Sequence, residues 1–116
     1  VYKRQSLGIR STFFMPPFEW YNQAVIDIAG ELQQVTVNFS PGTRSNADYM
    51  TPDMPNYISS DDIVQSIYCY EEKMGMNGFH LLIHPGTDSE RKDKLYLYLD
   101  EILSTLKLKG YEFARF

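Results

Sequence analysis

The chain has 116 residues, of which 43% are hydrophobic and 15% aromatic, and its formal net charge is −4 at pH 7. A chain of this length can bury one core and little more, so it is one domain or part of one. An acidic balance without clustered Lys or Arg argues against nucleic acid or a membrane surface as partner. No apolar run approaches the roughly 20 residues that a membrane-spanning helix needs.

The N-terminal residues Val1–Gln5 match the in-frame translation of a transposon-end adapter used in sequencing libraries. Segments of this kind lie outside fold reasoning. We therefore take residues 6–116 as the native part and expect the gene to be cut near Ser6. The alternative is a native helix end before Gly8. The acidic balance holds on either interpretation.

From Ser6 onward the chain alternates between strand-like and helix-like segments, which is typical of βα units around a parallel sheet. Ser11–Met15 is a short predicted strand, stopped by two prolines that lack the donor a ladder needs. A helix is predicted to begin near Glu19 or Trp20 and to end near Gly30. Gln34–Phe39 alternates as a second strand.

The middle of the chain holds a long irregular loop and a capped helix. Ser40–Ile58 contains three prolines, and loops of this length are usually functional or disordered. Ser59 or Ser60 is predicted to cap a helix that ends around Gly75, with acidic residues in its first turn. Phe79–His84 then reads as a buried third strand.

His84 is the last residue of that third strand before a Pro-Gly break. Strand alternation places His80, Leu82 and His84 on one face. A polar loop, Pro85–Asp93, leads into a helix with leucines from Leu95 onward, which ends at Gly110. Residues 111–116 form the last predicted strand.

Four parallel strands with three crossover helices can form a small open sheet or the second half of a barrel. The loops after the predicted strands, over residues 16–21, 38–53 and 84–91, collect aromatic and polar residues. Barrels build their active sites at this carboxyl rim. We therefore predict an α/β fold that is the C-terminal half of a (β/α) barrel, with the chemistry gathered around His84.

Several motifs resemble one family, the polysaccharide deacetylases of carbohydrate esterase family four, whose fold is a deformed (β/α) barrel. The resemblance covers residues 7–116. It is carried by five segments, Phe14–Asn22, Asn38–Tyr49, Leu81–Thr87, Arg91–Lys94 and Lys109–Phe113. Their order and spacing match the third motif, the fourth motif and the closing section of a subgroup of these enzymes.

The resemblance implies a divalent metal, zinc or a similar ion, held by one aspartate and two histidines, with a second aspartate as base. Those ligands belong to two earlier motifs that this sequence does not contain. Asp61-Asp62 begins a helix, whereas the family's pair ends a strand. His80 and His84 on one strand would stand roughly 13 Å apart, too far for one ion. We therefore expect no metal ligand here and no activity from this piece alone.

Motif matching gives four residues a place in the implied reaction. His84 takes the role of the general acid that protonates the leaving group, a task that suits imidazole because it titrates near neutrality. Asp48 orients or tunes His84. Leu82 lines the pocket for the acetyl methyl. Phe18 is not a proline, so its backbone N–H is available as the oxyanion donor.

Three residues of the same motif are expected to contact substrate. Pro17 lies in the rim segment, and Trp20 and Tyr21 supply flat apolar faces that stack on sugar rings. Core packing at a helix start is the alternative for both aromatic residues. One departure from the family is clear: Met15 stands where the family has an arginine, which puts the usual salt bridge to the catalytic base in doubt.

Other residues have plain structural alternatives. Asp48 can make an Asx-turn within its own loop. His80 is expected to be a core or ring-contact residue. Arg91, Asp93 and Lys94 can form a solvated charged cluster around a helix start.

The function that the resemblance implies is hydrolytic removal of acetyl groups from a carbohydrate, in an extracellular, periplasmic or cell-envelope setting. The expected partner is an acetylated carbohydrate. A non-catalytic carbohydrate-binding domain of the same fold is the first rival, and a strand ending in Asp-Asp followed by His-x-x-x-His upstream would exclude it. The second rival is a small open-sheet binding protein, which predicts a closed apolar surface.

Overall fold

The computed structural model describes residue 8 and residues 11–114. The predicted adapter segment, residues 1–5, and the end of the last predicted strand, residues 115–116, lie outside this range. The chain divides into two compact units, Val1–Phe39 and Ser40–Phe116, and each is described by itself. Over the described residues, every helix is too short or too polar to cross a bilayer.

The first unit holds two short parallel strands and one helix. Strand β1 is Phe13–Phe14, helix α1 is Gln23–Glu31 and strand β2 is Val35–Thr36. In the register of the pair, Phe13 lies opposite Val35 and Phe14 opposite Thr36. The two strands are shorter than predicted, because the prolines that follow Met15 end the first one and leave few residues for the ladder.

Local hydrogen bonds set both ends of α1. The Asn22 side chain caps the first turn by accepting a hydrogen bond from the Val25 N–H at 3.0 Å. At the other end Gln33 has φ 56° and donates to the Gly30 carbonyl at 2.8 Å, while Gln34 donates to the Ala29 carbonyl at 2.8 Å. This is a Schellman closure with glutamine at the left-handed position.

The predicted start of α1 near Glu19 or Trp20 is wrong. A 3₁₀ turn over Pro17–Glu19 comes first, and within it Phe18 and Glu19 have φ values of 56° and 59°. Two adjacent non-glycine residues in the left-handed region cannot lead into a right-handed helix, so α1 begins only at Gln23.

We expect Glu19→Gly to stabilise the protein by about 1 kcal/mol, because glycine adopts positive φ without the steric cost that glutamate bears. The measurement is the urea midpoint at neutral pH. Glu31→Gly is the matched control: Glu31 is an exposed helical residue of α1, and glycine there should destabilise by up to about 1 kcal/mol. A loss of stability in Glu19→Gly would show that the turn carries no strain.

The second unit is built on two helices around one apolar cluster. Helix α2 is Ser60–Met74, and a 3₁₀ turn over Leu95–Tyr98 leads into helix α3, Leu99–Leu108. Ser59 caps α2 by accepting from the Asp62 N–H, as the sequence predicts. The buried cluster contains Ile63, Val64, Ile67, Met76, Leu95, Ile102 and Leu106. Spacings of three or four residues put one apolar stripe on each helix, with Ile63, Val64 and Ile67 on α2 and Ile102 and Leu106 on α3.

The predicted fold class, four parallel strands forming the C-terminal half of a deformed barrel, is wrong. Among the described residues, β1 and β2 are the two strands and they form one parallel sheet. Phe79–His84 and the described part of residues 111–116 run without a ladder. The alternating pattern identified the apolar face, because Phe79, Leu81 and Ile83 pack against the buried cluster. A strand also needs a backbone partner along its length.

Side chains take the backbone donors that a ladder would use in Phe79–His84. The His80 N–H donates to the Ser40 hydroxyl at 3.0 Å and the His84 N–H donates to a carboxylate oxygen of Asp48 at 2.7 Å. A backbone hydrogen bond to this segment runs from the Ser40 N–H to the His80 carbonyl at 2.9 Å. The segment is therefore an extended arm that is held by loop residues.

Candidate functional site

Asp48 and His84, which are separated by 36 positions in the chain, meet through two hydrogen bonds. One carboxylate oxygen of Asp48 lies 2.5 Å from His84 Nδ1, and the other accepts the His84 backbone N–H at 2.7 Å. The Asp48 side chain is 1% exposed and that of His84 is 33% exposed. An ionised carboxylate only accepts hydrogen bonds, so its contact with Nδ1 favours the tautomer that carries the proton on Nδ1.

A short turn in the long loop presents Asp48. Ser45–Ala47 forms a 3₁₀ turn, and the Asp48 N–H closes it by donating to the Ser45 carbonyl at 3.2 Å. The Ser66 hydroxyl of α2 donates to the Thr43 carbonyl just before this turn. The loop is thus packed rather than disordered, and both carboxylate oxygens of Asp48 contact His84 rather than the loop's own backbone.

Tyr49 adds an aromatic neighbour that the sequence interpretation missed. Its ring meets the His84 imidazole edge-on, with centroids 5.6 Å apart and an interplanar angle of 77°. Tyr49 is 46% exposed. Its position next to Asp48 is the signal that could have found it. Leu82 lies two residues before His84 in the same extended arm and is half-buried.

The residues predicted to contact substrate from the third motif lie in the first unit. Phe18 and Trp20 are each 84% exposed and Tyr21 is 51% exposed, and Pro17 is exposed as well. The alternative of core packing for Trp20 and Tyr21 is therefore wrong. The structure brings together Asp48, Tyr49 and His84 in the second unit, and it displays this separate aromatic set in the first.

A cavity of about 340 Å³ in the first unit lies next to this aromatic set. Tyr21, Thr36 and Asn38 are among its lining residues. Asn38 ties the end of β2 to the turn before α1, because its side-chain N–H group donates to the Glu19 carbonyl at 3.0 Å. The buried Thr36 hydroxyl has no hydrogen-bond partner within the described residues.

Arg91 is the most enclosed charged side chain of the second unit, at 0% exposure. Its guanidinium donates to the carbonyls of Met50 at 2.7 Å and Ile58 at 3.1 Å and to the Ser60 hydroxyl at 3.0 Å. It also lies 3.3 Å from a carboxylate oxygen of Asp93. The interpretation of this region as a solvated charged cluster is wrong for Arg91, because burial depends on loops that are distant in sequence.

Asp93 is held in its ionised form. Burial alone would raise its pKa, but hydrogen bonds from the Ser60 N–H and the Tyr57 hydroxyl, together with the Arg91 charge, lower the pKa below the ordinary value of 3.8. The Ser60 N–H lies 2.7 Å from the carboxylate. The first turn of α2 therefore depends on a charged partner from the loop before α3.

We expect protonation of Asp93 to lower the stability of the protein as the pH falls. A folded pKa below the unfolded one means that the stabilisation is complete above about pH 4 and is lost as the pH falls through the folded value. Asp93→Asn should flatten the decrease of the urea midpoint between about pH 5 and pH 2. Part of the decrease should remain in Asp93→Asn, because the pKa of Glu71 is also lowered, by its hydrogen bond from Lys109. An unchanged slope in Asp93→Asn would contradict the assignment.

The metal implied by the family does not fit the residues that the structure describes. Over these residues, no three His, Cys, Asp or Glu side chains are grouped so that they could hold an ion. Asp48 and His84 bind each other instead. We therefore derive no chemical step through a metal from this chain.

Comparison with known proteins gives one similarity and no family. No family model matches the chain, and no solved structure matches it. The chain is similar to the uncharacterized protein YlxY of Bacillus subtilis (strain 168), with 30% identity over 107 residues, which cover 92% of this chain and 28% of YlxY. The chain thus spans between a quarter and a third of the length of that relative.

Proposed function

We propose that this chain supplies the leaving-group side of a metal-dependent carbohydrate deacetylase, which hydrolyses acetyl groups from an acetylated polymer or oligosaccharide. The observation that carries the proposal is the contact of Asp48 with His84 at 2.5 Å and 2.7 Å. A buried carboxylate that holds Nδ1 of a partly exposed imidazole is the arrangement that a general acid needs.

His84 acts on the tetrahedral intermediate. Doubly protonated His84 gives the Nε2 proton to the leaving nitrogen or oxygen of the sugar while the bond from that atom to the acetyl carbon breaks. The imidazole ends neutral, and Asp48 keeps its hold on the Nδ1 proton. Leu82 contacts the acetyl methyl, as the motif match implies. The divalent metal of this reaction class would be held by residues that this sequence does not contain.

Exposed aromatic side chains support a carbohydrate as the substrate. Phe18, Trp20 and Tyr21 present apolar faces to solvent, and stacking on such faces is how proteins bind sugar rings. The net charge of −4 suits a neutral or cationic polymer better than an anionic one.

The same aromatic set favours a second candidate, a non-catalytic carbohydrate-binding domain. That function needs Trp20 but not His84. The two candidates separate cleanly, because only the deacetylase releases acetate from a sugar.

We expect Asp48→Asn to lower kcat for acetate release from acetylated oligosaccharides by roughly 10- to 10²-fold, since asparagine can hold the ring in the wrong tautomer. The assay uses the protein from its complete reading frame, loaded with zinc. Asp100→Asn, which neutralises an exposed carboxylate on α3, is the matched control and should keep wild-type kcat. Oligosaccharide binding without acetate release in the wild type would support the binding domain instead.

A further inference from the structure

A buried arginine fixes the loop that carries Asp48. Arg91 Nη1 donates to the Met50 carbonyl at 2.7 Å, and Nη2 donates to the Ile58 carbonyl at 3.1 Å. One guanidinium thus joins Met50 and Ile58, which bound the second half of the long loop. All of its hydrogen-bond partners lie in the second unit, and the side chain has no exposed surface. We propose that Arg91 is a positioning residue for the Asp48–His84 pair.

The path from Arg91 to Asp48 is short. The Met50 N–H donates to the Ala47 carbonyl at 3.1 Å, and the Asp48 N–H donates to the Ser45 carbonyl at 3.2 Å. Asp48 therefore lies inside a run of turns whose far end is the carbonyl that Arg91 holds. A shift of Met50 moves the backbone of Asp48 with it, and the contact at 2.5 Å to His84 tolerates little displacement.

The guanidinium is also anchored away from the loop. Arg91 Nη2 donates to the Ser60 hydroxyl at 3.0 Å and lies 3.3 Å from Asp93, while Nε donates to the Asp93 carbonyl at 3.2 Å. The ring of Tyr57 lies 5.2 Å from the guanidinium carbon. The hydrogen bonds to the Ser60 hydroxyl and to the Asp93 backbone carbonyl fix the plane of the guanidinium, so the direction of its bond to Met50 is fixed too.

The segment that links His84 to Arg91 is held as well. The Lys94 ammonium donates to the Thr87 carbonyl at 3.0 Å and to the Thr87 hydroxyl at 2.8 Å. Arg91 therefore connects two segments whose backbones are held by hydrogen bonds. One carries Asp48 and the other follows His84. Arg91 sets the position of one relative to the other.

The test replaces the planar guanidinium of Arg91 while it keeps the positive charge. In the protein from its complete reading frame, Arg91→Lys removes the planar donors that reach Met50 and Ile58 together, because a lysine is a single charged point. Lys92→Met is the control, since the Lys92 side chain is 78% exposed and its nearest carboxylate lies 4.0 Å away. The direct readout is the ¹⁵N-edited NMR signal of the His84 Nδ1 proton, which the hydrogen bond to Asp48 shifts downfield.

We expect Arg91→Lys to move this signal upfield or to broaden it beyond detection in the folded protein, with the control unchanged. The kinetic readout rests on the proposed function: kcat should fall by about 10²-fold with KM little changed, as for a misplaced catalytic group. A folded Arg91→Lys protein with a wild-type Nδ1 signal would overturn the proposal. If Arg91→Lys loses the signal but the wild-type protein releases no acetate, the positioning role of Arg91 stands and the deacetylase function is rejected.

Asp93→Asn keeps the test decisive if Arg91→Lys does not fold. This variant removes the ion pair of Arg91 but leaves the guanidinium on Met50 and Ile58. We expect a less stable protein whose His84 Nδ1 signal stays at the wild-type position. Loss of the signal in Asp93→Asn would mean that the whole charged network sets the pair, and it would overturn the specific assignment to Arg91.

Discussion

His84→Ala in the protein from its complete reading frame should lower kcat by roughly 10²- to 10⁴-fold on acetylated sugars with poor leaving groups. The reason is that an amine or alkoxide cannot leave without a proton, and His84 is the group whose Nε2 is presented by the buried Asp48 carboxylate. Metal content should stay at the wild-type level, because His84 is not proposed as a ligand. Steady-state kinetics and elemental analysis of the same preparation check both points.

Activated acetyl esters provide the internal control for that prediction. Their leaving groups depart without protonation, so His84→Ala should affect them far less. Leu82→Ala should behave differently, enlarging the acyl pocket and shifting preference from acetyl towards longer acyl groups. Equal losses on activated and unactivated substrates at undiminished metal content would remove the general-acid assignment, since a purely structural histidine would harm both alike.

Arg91→Met should lower the free energy of unfolding by about 3 kcal/mol. Methionine fills a similar volume but leaves the Met50 and Ile58 carbonyls without their donor and Asp93 without its ion pair. Chemical denaturation monitored by circular dichroism measures the change. The expected loss is a large share of the stability of a small protein.

Lys92→Met is again the control for stability, and it should change the free energy of unfolding by no more than about 0.5 kcal/mol. The two residues are adjacent and carry the same charge, so the difference between them reports the buried contacts of Arg91 rather than the loss of a positive charge. A loss in Arg91→Met no larger than that in Lys92→Met would show that the loop stands without the guanidinium.

The candidate site is built almost entirely from irregular backbone. Asp48 directly follows a 3₁₀ turn, and His84 lies at the end of an extended arm without a ladder. Loops can carry functional groups when buried contacts fix them, and here the Asp48 carboxylate takes the His84 N–H that a neighbouring strand would otherwise accept. The feature that contradicts the predicted strand is thus the one that assembles the pair.

Features that depend on near neighbours in the chain follow from the sequence alone. The Ser59 cap of α2 and its end at Gly75 are as predicted, because a cap, a helix dipole and a left-handed glycine act within one turn. The apolar stripes of α2 and α3 follow from their spacing. His84 and Asp48 could be singled out from motifs, while their contact could not be derived from either segment alone.

Which segments pair and which charges are buried depends on contacts between segments that are distant in the chain. Phe79–His84 alternates like a strand, but its His80 and His84 donors are claimed by Ser40 and Asp48, which lie about 40 residues earlier. Arg91 looks like its exposed neighbour Lys92 in sequence, yet its guanidinium is buried in contact with Met50, Ile58 and Ser60. A side-chain pattern states which face is apolar, but hydrogen-bond partners across long loops decide whether a ladder forms and whether a charge can be buried.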